Sequence, residues 1–219
     1  MKYRAKYTKG DNVKFVGHLD LLRSIQRAIK RAELVVKYSQ GFNPHQVFSI
    51  AQPLAVGHTS VGEYMDFELV NDMSEDEVKQ RFNDVSPEGI KIIEVRKLND
   101  GENKAAALVE YGSYKVVLDK NISDDTIKNF ISQDTIEVEK ETKSGTKIAD
   151  IKNDIIDAKI EGTVLHATIS TGSNQNLKIE LLAKALYTYA GEEFDENKID
   201  VERQDLYYMY KDELKGLME

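Results

Sequence analysis

Residues 2–8 alternate strictly, with Tyr3, Ala5 and Tyr7 on one side and Lys2, Arg4, Lys6 and Thr8 on the other. A period of two marks a half-buried strand. The period changes over residues 18–32. Leu21, Leu22, Ile25, Ala28, Ile29 and Ala32 fall in one sector of about 120° on a helical wheel, which predicts an amphipathic helix. Leu34, Val35 and Val36 predict a short returning strand over 34–38. Residues 63–70 alternate again, Met65, Phe67 and Leu69 against Tyr64, Asp66 and Glu68. Ser74 and Glu77 then form a capping box, and Met73 with Val78 a hydrophobic staple, so a second helix opens there and ends before Pro87. Ile90, Ile92, Ile93 and Val95 predict a strand at 90–96. The resulting order, βαββαβ, is the ferredoxin-like pattern.

Residues 99–109 read as a linker, and a second half repeats the order. Its strands are expected at 112–118, 135–141, 163–170 and about 199–208. Its helices are expected at about 123–132, begun by Ser123, and at 176–190, ended by Gly191. A hairpin turns at Glu161-Gly162. Ile148, Ile151 and Ile155 favour helix over 147–156. The expected fold is therefore α+β: two ferredoxin-like (βαββαβ) domains in tandem, with antiparallel sheets and helices on one face. The first occupies 1–98 and the second 110–219. Each carries a long insertion between its second and third strands, at 39–62 and about 142–155. A chain of 219 residues is long enough for two cores of this size.

Charge changes the picture. The first 50 residues hold ten Lys and Arg against three acids, although the whole chain has a net charge of −8. A basic front on an acidic protein points to an anionic ligand for that front. Four of these cations, Arg23, Arg27, Lys30 and Arg31, fall within about 100° on the outer face of the predicted helix, opposite its apolar sector. Such a stripe can neutralise several phosphates. The competing reading is an ordinary solvated helix face, with Asp20 pairing Arg23. Arg4 and Lys6 on the polar side of the first strand resemble a nucleic-acid platform, but Asp66 and Glu68 on the third strand offer them cross-strand partners.

The 39–62 segment contains Pro44, Pro53, Gly41, Gly57, Gly62, His45 and His58, and His18 begins the helix nearby. Loops of this length with no long element of their own are often binding loops. Ser39, Gln40, Gly41, Phe42, Asn43 and His45 are the residues expected to complete a nucleic-acid groove with the helix. The competing reading is a structural connection with one short strand at 47–51. No catalytic residue is assigned. His18 and His45 are the candidates for general acid–base cleavage of RNA, because imidazole titrates near neutrality. A metal site from His18, His45 and His58 with Glu63 or Asp66 has no HxH or HExxH spacing behind it. No serine is framed as in GxSxG. Tyr207, Tyr208 and Tyr210 read as strand packing or a partner-facing patch.

The chain has no cysteine, which excludes disulfides, thiolate nucleophiles and an iron–sulfur cluster bound by this chain alone. No apolar run approaches a membrane span. Met1-Lys2-Tyr3-Arg4 lacks the apolar stretch of a signal peptide. The expectation is a soluble, cytoplasmic protein with no membrane partner.

The run GHLDLLRSIQRAIKRAELVVKYSQGFNPH (17–45), followed by FSIAQPLAVGHTSVGEYMDFEL (48–69), resembles the radical-SAM-linked protein family. This is a bacterial domain of unknown function found fused to, or encoded beside, radical SAM proteins. The shared features are a Gly-His-Leu-Asp start, a basic helix, a Ser-Gln-Gly-Phe-Asn-Pro loop and a Gly-x-x-Ser-x-Gly-Glu-Tyr segment. The ending at Asp205-Leu206-Tyr207 also fits. The first half looks, more distantly, like the repeat-RNA endoribonucleases of CRISPR systems. The resemblance implies a radical SAM protein as partner and structured RNA, tRNA or rRNA, as a candidate substrate. SAM and the iron–sulfur cluster would then sit on the partner only, with no cofactor in this chain. The family brings no established activity or catalytic residues; together with the basic helix, the expected role is a non-enzymatic accessory in RNA modification or processing. The alternatives are a protein-interaction subunit without RNA contact, docking through the acidic second half or the Tyr-rich end, and an RNA-cleaving enzyme using His18 or His45.

Overall fold

The computed structural model describes residues 1–142 and 145–219. The chain is α+β and forms two compact units, Met1–Val109 with Asp205–Glu219, and Glu110–Gln204.

The first unit begins with β1 (Lys2–Lys9), α1 (His18–Arg31), β2 (Phe48–Ile50) and β3 (Thr59–Glu68). It continues with α2 (Glu75–Val85), β4 (Ile92–Lys97) and the short α3 (Ala105–Leu108). β1 lies between β3 and β4, antiparallel to both, and β2 pairs with β3. The predicted periodicities explain what is buried. Tyr3, Ala5 and Tyr7 meet Leu21, Ile25, Ala28 and Ile29 from α1, Val78 and Phe82 from α2, and Met65 and Phe67 from β3. Ser74 caps α2, its Oγ accepting from the Glu77 N–H at 3.2 Å. α1 ends differently. Glu33 takes a left-handed φ of 56°, and the Leu34 N–H reaches back to the Ile29 carbonyl at 3.2 Å. This closes the helix as a glycine usually does.

The opposite side of β1 is where the sequence misleads. Arg4 is 1% exposed. Its Nε and Nη2 donate to the two carboxylate oxygens of Asp66 at 2.9 and 3.1 Å. Nη1 donates to the Leu217 carbonyl at 2.8 Å and Nη2 to that of Asn103 at 2.7 Å. The Ala105 N–H donates to Asp66 at 2.7 Å. Around this network cluster Ala51, Tyr64, Ala105, Val109, Leu206 and Leu217. Arg4 is therefore a buried structural cation and no part of an open platform. Lys6 pairs with Asp205 at 2.7 Å, and Glu68 pairs with Lys37 at 2.5 Å, so only the Arg4–Asp66 half of the expected cross-strand pairing forms.

The second unit contains β5 (Tyr111–Val117), α4 (Asp124–Ile131), β6 (Glu137–Thr142) and β7 (Gly145–Asp150). β8 (Ile155–Glu161), β9 (Val164–Ser170) and α5 (Ile179–Ala190) follow. β9 lies between β5 and β8, antiparallel to both. β6 pairs with β7 as a separate two-stranded ladder. This departs from the expected order, because β8 flanks β9 and the 135–141 strand does not. The helix expected over 147–156 is also absent: Ile148 sits in β7, Ile151 before a single 3-10 turn and Ile155 at the start of β8. Residues 143 and 144 of the expected 142–155 insertion lie outside the described residues. Ser123 caps α4, accepting from the Thr126 N–H at 3.1 Å. Gly191 ends α5 in the left-handed conformation, φ 75°, where a side chain would be strained.

β10 (Asp200–Tyr210) turns through Lys211 and Asp212, both at positive φ, into β11 (Glu213–Gly216). No helix among the described residues is long and apolar enough to cross a membrane.

Candidate functional site

The outer face of α1 and the segment after it form an open concavity of about 380 Å³ in the first unit. Arg23, Gln26, Arg27 and Lys30 line it from the helix, and Tyr38, His45 and Gln46 from the other side. On the helix, Arg23, Gln26, Arg27 and Lys30 are three or four residues apart, which stacks them on one stripe. Its apolar opposite face is fixed by the core, so the stripe must face out.

The second wall is built by backbone ladders. The Lys37 N–H donates to Glu68 and the Glu68 N–H to Val47, while the Val47 N–H donates to Lys37. Isolated bridges join Val36 to Leu69 and Tyr38 to Gln46. These tie residues 36–38 and 46–47 to the end of β3. The expected strand at 34–38 is present only as these bridges. The Ser39 N–H then donates to the His45 carbonyl at 2.7 Å, and Ser39 Oγ meets both His45 Nδ1, at 2.9 Å, and the His45 N–H, at 3.1 Å. Ser39 thus fixes the imidazole at the rim. The intervening tip is exposed, with Gly41 at φ 131° and the Phe42 ring fully in solvent.

Electrostatically the concavity is one-sided: three cations line it and no carboxylate does. Asp20 binds Arg23 at 2.9 Å, but both side chains are well exposed, so solvent screens that pair. Lys37 is withdrawn by Glu68, whose carboxyl is held below its ordinary range by the Lys37 hydrogen bond.

The structure therefore brings Arg23, Arg27, Lys30 and His45 together. Arg31 lies outside, donating to the Val85 carbonyl at 2.9 Å. Gln40, Gly41, Phe42 and Asn43 lie at the exposed tip and do not line the concavity. His18 starts α1 and also lies outside it. Among the described residues no three His, Asp or Glu side chains gather as a metal site, and His58 is not near such a group. Sequence reasoning missed Gln26, Tyr38 and Gln46. Gln26 carried a signal, being three and four residues from Arg23 and Lys30. Tyr38 and Gln46 are brought in by the bridge between them, which has no local signature.

With this geometry established, comparison with known proteins adds a family. A model described as "Uncharacterized protein conserved in bacteria (DUF2344)" matches residues 2–179. The chain belongs to that family. The match includes α1, the Ser39–His45 loop and β3, so the concavity lies within the DUF2344 region. No curated protein matches the chain. Among solved structures, a crystal structure of an unknown protein from Galdieria sulphuraria is similar at 14% identity. It covers 95% of this chain and 98% of its own, with a TM-score of 0.27, too low to support a statement about fold.

Proposed function

We propose that the chain is a non-enzymatic RNA-binding accessory, and that the concavity on α1 is where it holds the phosphate backbone. The single observation that carries this is the gathering of Arg23, Arg27 and Lys30 with no carboxylate in the lining. The exposed Tyr38 ring beside them offers a stacking surface for an unpaired base. Gln46 and His45 add hydrogen-bonding groups. Both units are read as variants of the ferredoxin-like pattern. What supports this in the first unit is that β1 lies between β3 and β4 and that β2 pairs with β3, whereas the second unit places β6 and β7 apart.

The partner in this reading is a radical SAM protein, on the strength of the motif resemblance in residues 17–69. SAM and the iron–sulfur cluster belong to that partner, since a cysteine-free chain lacks the thiolates that ligate such clusters. The class of RNA is tRNA or rRNA undergoing modification, and the compartment is the cytoplasm.

Binding of total tRNA to the full chain tests the proposal. Wild type is expected to bind, and Arg27→Glu/Lys30→Glu to lose binding while keeping its circular dichroism spectrum. Arg31→Ala, outside the concavity, should bind as wild type does. No wild-type binding, or equal loss in the Arg31 variant, would count against the concavity as an RNA site.

One observation favours a second reading. His45 lines the same concavity with its Nδ1 held by Ser39, the arrangement of an oriented acid–base group. If bound RNA is cleaved by wild type and not by His45→Ala, the chain is an RNA-cleaving enzyme. His18 does not line the concavity.

A further inference from the structure

The second unit contains a cleft of about 440 Å³ between α4, α5 and the outer edge of β6. Leu181, Lys184, Ala185, Thr188 and Tyr189 on α5 form one wall, spaced by three or four residues along a single stripe, with Lys184 the one cation in the lining against Glu137 and Glu139. Phe130, Ile136 and Val138 are buried and give the cleft an apolar base. The Tyr189 ring stands over Phe130 at 5.5 Å between centroids.

The other wall is a strand edge, and its phase follows from the ladder. The Ile151 N–H donates to the Ile136 carbonyl at 2.9 Å, which makes 136 and 151 a hydrogen-bonded pair. In an antiparallel ladder such pairs alternate with non-bonded ones. Glu137 and Glu139, opposite Asp150 and Ile148, therefore turn their N–H and C=O groups away from β7. Both residues line the cleft, and among the described residues β6 pairs with no strand but β7.

From this geometry we infer that the β6 edge and α5 form a docking groove that takes an extended segment of a partner protein as an added strand, with basic residues alternating with apolar ones. Strand addition between a sheet edge and a helix is an established way to bind peptides, main-chain bonds giving affinity and alternate side chains specificity. The alternation follows from β6 itself, where Val138 is buried and Glu137 and Glu139 are exposed. A cross-strand neighbour on the glutamate side is favoured when cationic. The unit as a whole carries 19 acidic against 12 basic residues. A second copy is a poor occupant, because pairing β6 with β6 antiparallel sets Glu137 and Glu139 against the same two carboxylates. The inference is independent of the concavity on α1.

The probe is a fluorescein-labelled hexapeptide, (Lys-Val)3 with blocked ends, titrated into the full chain by fluorescence anisotropy. Saturable binding is expected, with little binding of (Glu-Val)3. A (Lys-Val)3 peptide N-methylated at every residue keeps its charge but cannot donate to a strand, and should bind at least about tenfold more weakly. Ala185→Trp fills the cleft from an accessible helix face and should weaken binding by a similar factor. Its circular dichroism spectrum and urea unfolding midpoint should match wild type, which shows that the variant is folded. Glu137→Gln/Glu139→Gln should cost a factor of about three, as exposed ion pairs do. Equal binding of the N-methylated peptide, indifference to Ala185→Trp, or no binding of (Lys-Val)3 would each overturn the inference. Concentration-dependent self-association of wild type that disappears in Ala185→Trp would assign the groove to a second copy and overturn it too.

Discussion

Arg4 and Arg27 are the same side chain put to opposite uses within one unit. Arg4 gives its guanidinium to Asp66 and two backbone carbonyls and is sealed by Leu206, Leu217 and Ala105. Arg27 stands in solvent beside Arg23 and Lys30 in a concavity with no lining carboxylate. A buried cation held by a carboxylate and fixed backbone carbonyls is structural, because removing its partner strands a buried charge. A cation left facing like charges destabilises nothing when removed and is free to meet an anion from outside. The difference separates the two basic clusters better than composition does.

The largest effect that would break this contrast is on stability. Asp66→Ala leaves Arg4 buried without its carboxylate and should destabilise the protein by roughly 3–5 kcal/mol. Arg27→Ala should leave the urea midpoint essentially unchanged. If the two variants unfold at the same urea concentration, Arg4 is not the structural cation described.

A smaller effect sharpens the concavity side. Glu33 closes α1 with a φ of 56°, a conformation that costs a side chain free energy and glycine little. Glu33→Gly should raise stability by about 1 kcal/mol, measured by thermal or urea unfolding. Because Glu33 does not line the concavity, RNA affinity should hold or rise slightly as an acid leaves its surroundings.

The smallest effect is one of pH. Glu102 accepts from the Asn99 N–H at 2.7 Å and pairs with Arg96 at 2.9 Å. The backbone hydrogen bond first, and the arginine after it, hold its carboxyl below the ordinary carboxylate range. A carboxyl lowered in the folded state contributes stability above its unfolded pKa and loses it as pH falls through the folded value. Wild type should therefore exceed Glu102→Gln modestly at neutral pH, and the difference should vanish in acid. A gap that widens on acidification would reverse the sign and refute the assignment.

The sequence made some of this readable and hid the rest for physical reasons. α1, the caps at Ser74 and Ser123, and the strands around residues 2–8 and 63–70 follow from local periodicity and local hydrogen bonding. Their core faces followed too. The burial of Arg4 depends on Leu217 and Asn103, more than ninety residues away in chain position, and alternation cannot reveal a second layer. Ile148, Ile151 and Ile155 show the limit of periodicity in short apolar series. Their spacing suits a helix, yet Ile148 is 71% exposed on β7 and Ile151 is 2% exposed beyond its end. β-branched residues prefer the strand there. In the site, the helix cations were legible from their stripe. Which loop residues would face them was not, because the ladder from Val36 to Ser39 brings Tyr38, His45 and Gln46 forward and leaves 40–43 at the tip.

The central claim is that Arg23, Arg27 and Lys30 together hold the phosphate backbone, and the salt dependence of tRNA binding tests it most directly. Three phosphate contacts predict a roughly 20- to 40-fold loss of affinity between about 50 and about 200 mM salt. Each cation removed should lower the slope of log affinity against log salt by about one. Arg27→Ala/Lys30→Ala should therefore bind more weakly and with a slope smaller by about two. If the double variant keeps the wild-type slope, the phosphates are held elsewhere, and the concavity is only a solvated helix face.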